Sequence, residues 1–104
     1  MVTQQIVIEE VKQFAKEVKA AGVRLRKVYL YGSYAQNRQR EHSDIDVALI
    51  ADEFSDIGFD DIDLFGKALI KHIMIQPKTY PTDYFEKGDP FIEEIIRTGI
   101  EIEA

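Results

Sequence analysis

"YLYGSYAQNRQREHSDIDVALI", Tyr29–Ile50, is the stretch that decides the fold. A short apolar run ends at Gly32-Ser33, ten residues of loop chemistry follow, and a second apolar run opens with Asp44 and Asp46. Ionised Asp is seldom buried unless it is paired or bound to a metal, so two carboxylates at the mouth of a core strand break the hydrophobic pattern. Such breaks mark functional sites. Side chains i and i+2 of a strand share a face, so Asp44 and Asp46 converge while Ile45 and Val47 enter the other face. A hard divalent cation takes one or two carboxylates together with phosphate oxygens and water. Gly32 permits close backbone approach and Ser33 offers a hydroxyl and an amide. A helical turn starting there presents free N–H groups to phosphate. Together these parts compose a metal and nucleoside-triphosphate site.

Outward from this stretch, the pattern predicts helix, strand, strand, helix, strand, helix, strand. Ile8, Val11, Phe14, Ala15 and Val18 follow helical spacing and Gly22 supplies a stop, which gives an amphipathic helix from about Gln4 to Ala21. "KVYLY" and "DIDVALIA" read as strands. "FDDIDLFGKALI" reads as a helix with Ile62, Phe65, Leu69 and Ile70 as its apolar face. "KHIMIQP" alternates as a strand ended by Pro77, with His72, Met74 and Gln76 sharing a face, and "PTDYFEKG" reads as a loop with room for one helical turn. "DPFIEEIIRTG" carries Asp89 as N-cap, Pro90 at the first helical position and Gly99 as the stop, and "IEIE" closes the chain as a short strand. The fold class expected is α/β (α+β), a small mixed β-sheet with helices packed on one side.

The 104 residues suffice for a single domain spanning 1–104. There is no cysteine, which excludes a disulfide framework and thiolate metal sites. No apolar stretch nears the ~20 residues of a membrane span, and "MVTQQIVIEEVKQ" lacks a basic leader, so the expected location is cytoplasmic. A net charge of −6 argues against direct binding to long nucleic acid, whose affinity comes mostly from Lys and Arg on phosphates.

"GSYAQNRQREHSDID" resembles the signature of the minimal nucleotidyltransferases, small members of the DNA polymerase beta superfamily: Gly-Ser, ten residues, Asp-x-Asp. The likeness runs through the leading helix, "VYLYGSYA", "SDIDVALI" and "PFIEEIIRTGIEI". It implies a nucleotidyltransferase fold and transfer of a nucleotide monophosphate, AMP foremost, from a Mg2+- or Mn2+-bound triphosphate such as ATP to a hydroxyl. Gly32 and Ser33 would hold the triphosphate, and Asp44 and Asp46 the metal. Two departures stand out. Gln36 and Asn37 occupy positions where the family commonly carries a basic residue and Gly, and Asn best replaces Gly in a left-handed conformation. In addition, "LIKHIMIQPKTY" lacks the third carboxylate of active members, and His72 aligns in its place as the candidate catalytic base. Because the chain leaves no module to grip an acceptor, the resemblance points to a helical partner of the HEPN type, with the domain acting as antitoxin, or to a homo-oligomer. The rival expectation is a catalytically weakened nucleotide-binding or protein-binding module that neutralises its partner by contact alone.

Overall fold

The computed structural model describes residues 3–40, 43–55 and 62–103. Helix α1 spans Gln4–Ala20 and is capped by Thr3, whose side chain accepts a hydrogen bond from the Ile6 amide. Its inward stripe is Val7, Val11, Phe14, Ala15 and Val18, all buried, with Ile8 only partly so. Burial of each valine and of Phe14 is worth about 1.5–3 kcal/mol. The helix ends where Gly22 turns left-handed at φ 106°, and the Val23 amide reaches back to the Val18 carbonyl.

Strands β1 (Leu25–Tyr31), β2 (Ile45–Ala51), β3 (Ile75–Pro81) and β4 (Ile100–Ile102) form one sheet in the order β3-β2-β1-β4. β1 pairs antiparallel with both β2 and β4, while β2 and β3 run parallel. The crossover between β2 and β3 contains a 3-10 turn, Ile62–Phe65, and helix α2, Gly66–Lys71. Helices α3 (Thr82–Lys87) and α4 (Pro90–Thr98) precede β4. As expected, Asp89 caps α4 by accepting from the Ile92 amide, Pro90 stands in the first turn and Gly99 ends the helix.

The alternation of the strands sorts their side chains onto two faces. Val28, Leu30, Val47, Leu49, Ile75 and Ile102 pack with α1, Phe65 and Ala68 in one core. Tyr29, Ala48, Ile50 and Tyr80 pack with Phe85 of α3 and Ile92 and Ile95 of α4 in a second. Helices therefore cover both faces, where the sequence led us to expect one. This is also why β2 reads as the unbroken apolar run "VALIA".

Three other expectations are corrected. The helix expected over "FDDIDLFGKALI" begins outside the described residues, and its described part is a 3-10 turn followed by a single short helix. There Ala68 is buried and Ile70 is 75% exposed. The helical turn within "PTDYFEKG" takes up most of that segment, as helix α3. Strand β3 starts at Ile75, not Lys71, and runs through Pro77 to Pro81. A proline is tolerated there because β3 is an outer strand with only one neighbour.

Candidate functional site

The antiparallel register sets Tyr31 opposite Asp46, so the first residue beyond β1, Gly32, lies against the first turnward carboxylate of β2. Gly32 adopts φ 78°, and a Cβ built on it would stand 2.3 Å from Asp46 Oδ2. No other residue type fits both the conformation and the space. The chain then makes one helical turn. The Gln36 amide donates to the Gly32 carbonyl, and the turn closes with the Arg38 amide on the Ser33 carbonyl at 2.8 Å and the Asn37 amide on the Tyr34 carbonyl. This is a Schellman closure, with Asn37 left-handed at φ 56° in the place a glycine usually takes. From α1, the Gln4 side-chain amide donates to the carbonyls of Tyr34 and Ala35, at 2.8 and 3.2 Å, and ties the turn to the core. Tyr34 itself is buried.

Asp44 lies just before β2 and is exposed, whereas Asp46 is half-buried within it. Burial and the neighbouring Asp44 carboxylate push the Asp46 carboxyl above the ordinary range. Tyr31 is driven the same way, to about 12, by burial and by Asp46. A half-buried carboxyl whose charge is disfavoured by burial and by a neighbouring carboxylate favours a cation between the two. The donor set consists of hard oxygens, which fits Mg2+ or Mn2+. Among the described residues, however, no three His, Cys, Asp or Glu side chains converge as a metal cage. The pair fits one divalent ion whose remaining ligands come from phosphate and water, not a self-sufficient pair of ions.

His72 does not join this site. It caps the end of α2 rather than entering β3, and it packs edge-on against Phe14, with ring centroids 5.6 Å apart, on the α1 side of the sheet. Its Nδ1 meets Glu10 Oε2 at 2.5 Å and its Nε2 meets Glu17 Oε2 at 3.0 Å. Burial disfavours the imidazolium, but the two carboxylates outweigh it and raise the His72 pKa, while the His72 contact lowers that of Glu17. The alignment of His72 with a third carboxylate is thus corrected: the side chain belongs to a structural ion pair on the opposite face from Asp46.

The residues that face Asp46 from β3 are Gln76, its register partner, and Lys78, partner of Ala48. Sequence reasoning missed Lys78 because it ended the strand at Pro77. The period-2 alternation of Gln76, Lys78 and Tyr80 against buried Ile75, Pro77 and Thr79 was the available signal. Lys78 Nζ stands 4.3 Å from the Phe91 ring centroid, and Phe91 meets Tyr31 edge-on at 5.7 Å. Of the neighbouring apolar side chains Phe85, Phe91 and Ile92, only Phe91 is exposed.

No curated protein matches the sequence. A crystal structure of a Sulfolobus solfataricus protein, provisionally assigned as a nucleotidyltransferase, superposes with a TM-score of 0.69 at 16% identity, over 94% of this chain and 80% of that one. A toxin-antitoxin crystal structure with AMP-PNP superposes with a TM-score of 0.62 at 23% identity, over 91% of this chain and 73% of that one. At these identities the likeness is one of fold. The family model described as "Polymerase beta, Nucleotidyltransferase" matches residues 9–103, a span that takes in the Gly32-Ser33 turn, the Asp44/Asp46 pair and all four strands. Signature, sheet and family match coincide, and the chain belongs to the polymerase beta nucleotidyltransferase family.

Proposed function

We propose that this domain transfers AMP from ATP to a hydroxyl on a partner protein, as the antitoxin member of a pair with a HEPN-type helical protein. The observation that carries the reading is the contact between Gly32 and Asp46, which brings a phosphate-suited turn and a pair of acids to one point. Asp44 and Asp46 would hold a divalent cation, which when bound offsets phosphate charge and polarises the α-phosphorus. Gly32 and Ser33 orient the triphosphate through backbone N–H and hydroxyl. The acceptor oxygen bonds to the α-phosphorus as the bond from that phosphorus to the bridging oxygen of the β-phosphate breaks. Pyrophosphate leaves with the electron pair, and the hydroxyl proton passes to water.

A partner is favoured by exposed apolar side chains on the α1 side of the sheet, where Ile6, Ile73 and Met74 line one groove with Tyr34 of the phosphate-suited turn. Ile6, Ile70, Ile73 and Met74 are all solvent-exposed, and the Met74 carbonyl accepts from the Ile45 amide, one residue from Asp44. The partner proposed is in keeping with the toxin-antitoxin structure of similar fold. A second reading, neutralisation by contact with the site as a nucleotide sensor, is favoured by the lack of a third carboxylate beside Asp46 among the described residues. Incubation with α-labelled ATP, Mg2+ and the product of the adjacent gene decides between them. Label on the partner, lost in Asp44→Asn/Asp46→Asn, is the expected result. A stable complex with no label supports the contact reading and overturns transfer.

A further inference from the structure

On the sheet face that carries Asp46, the neighbouring strands offer unlike chemistry. On the β1 side stand Gly32 and Ser33, the turn assigned above to the triphosphate tail. On the β3 side stand Gln76 and Lys78. The strand order β3-β2-β1 puts Asp46 between the two. Lys78 lies diagonal to Asp46 across the β2/β3 pair, a relation that spans roughly 7–8 Å between backbones and is readily bridged by a long side chain and a phosphate.

The ammonium is held in place. It sits over the Phe91 ring at 4.3 Å from the centroid and 5.4 Å from that of Tyr80, and Phe91 is fixed in turn by its edge contact with Tyr31, the register partner of Asp46. Beside it the Tyr80 hydroxyl is buried without a hydrogen-bond partner among the described residues, although buried hydroxyls ordinarily find one. Charge points the same way. Two carboxylates offset one divalent ion, whereas a second such ion on the β3 side would meet the Lys78 ammonium. Asp89, the acid that feels that ammonium, is already engaged by the Tyr84 hydroxyl and the Ile92 amide. Among the described residues no third acid joins Asp44 and Asp46 in a metal cage.

We propose that Lys78 is a phosphate-binding residue of this site and that its ammonium replaces a second divalent cation, so that the domain binds a nucleoside triphosphate with one metal ion. The proposal rests on the nucleotide reading above, and the experiment separates the two.

Mn2+ binding followed by electron paramagnetic resonance gives the metal count in the presence of a non-hydrolysable ATP analogue, and calorimetry gives the affinity for the analogue. Lys78→Met keeps the stem packed on Phe91 and removes the charge, Lys78→Arg keeps the charge, and Lys78→Asp adds a carboxylate. The expected results are one Mn2+ in the wild type, a loss of about tenfold or more in analogue affinity for Lys78→Met with unchanged melting temperature, near wild-type affinity for Lys78→Arg, and a second nucleotide-dependent Mn2+ in Lys78→Asp. Wild-type analogue binding that Lys78→Met leaves unchanged overturns the role of Lys78 alone, as do two Mn2+ ions in the wild type. A wild type that binds neither Mn2+ nor analogue overturns the nucleotide reading itself, and Lys78 with it.

Discussion

Replacing Gly32 with Ala tests whether the turn and the acid pair are built as one unit. The new Cβ would lie 2.3 Å from Asp46 Oδ2 and 3.2 Å from its Cγ. Holding an L-residue in the left-handed region costs about 1–2 kcal/mol. Displacing the carboxylate by some 30° from its rotamer adds roughly 0.5–1.5 kcal/mol, for a total of about 1.5–3.5 kcal/mol. With an unfolding entropy of ~2.1 cal/mol/K per residue, 104 residues convert that loss into a drop of roughly 7–16 °C in Tm. In an Asp46→Ala background only the residue 46 Cβ remains, 3.4 Å away and in ordinary contact, so the same Gly32→Ala change should cost the backbone component alone. Thermal and urea unfolding of the wild type, the two single variants and the double variant, followed by circular dichroism, form a double-mutant cycle. The expected coupling is about 0.5–1.5 kcal/mol, centred above the ~0.3–0.5 kcal/mol scatter of independent sites. Additive behaviour would show that Asp46 yields freely to a methyl group, and the claim that its carboxylate dictates Gly32 would fail.

Three further outcomes are expected. His72 is held by Glu10 and Glu17, with Lys71 3.8 Å from Glu17. Its raised pKa gives stability that is full below the unfolded value of 6.5 and is lost as pH rises through the folded value. The lowered Glu17 pKa gives stability present above 4.5 that is lost as pH falls through its folded value. The urea-midpoint difference between wild type and His72→Gln should therefore peak between those two values, and a pH-independent difference would refute an ionic contact. Asn37→Ala should lower stability by about 1 kcal/mol while Asn37→Gly leaves it unchanged or raises it, as read from melting curves. Asp89→Ala removes both the α4 cap and the acceptor of the Tyr84 hydroxyl at 2.6 Å, and should cost about 1–2 kcal/mol, whereas Asp89→Asn should keep most of it.

The signature was legible because its chemistry is local in sequence. Gly32, Ser33, Asp44 and Asp46 lie on one hairpin-like unit, and the left-handed role of Asn37 follows from residue type alone. Helices α1 and α4 were legible through their caps and periodicity. What failed was the stretch between Asp63 and Pro81. Ile70, Ile73 and Met74 look like core residues but lie exposed, so the apolar pattern there did not report burial. Pro77 looked like a strand terminator, although an outer strand accommodates it. Those two errors moved β3 by four residues and put His72 in a position that Gln76 and Lys78 actually face. The second helical layer was hidden for a related reason: nothing in the alternation of Tyr29 and Tyr31 says that α3 and α4 will cover them.

The prolines of β3 also bear on how the protein resists aggregation. A sheet margin with free donors and acceptors is a template on which another chain can add a strand. Here one margin carries Pro77 and Pro81, neither of which has an N–H to donate, and the other is the three-residue β4. Neither side of the described sheet offers a long ladder for strand addition, so copies of the domain are discouraged from zipping together edge to edge. Any companion must recognise the molecule through its side chains. Replacing both prolines with β-branched residues would restore the missing donors and turn a blunted margin into an adhesive one.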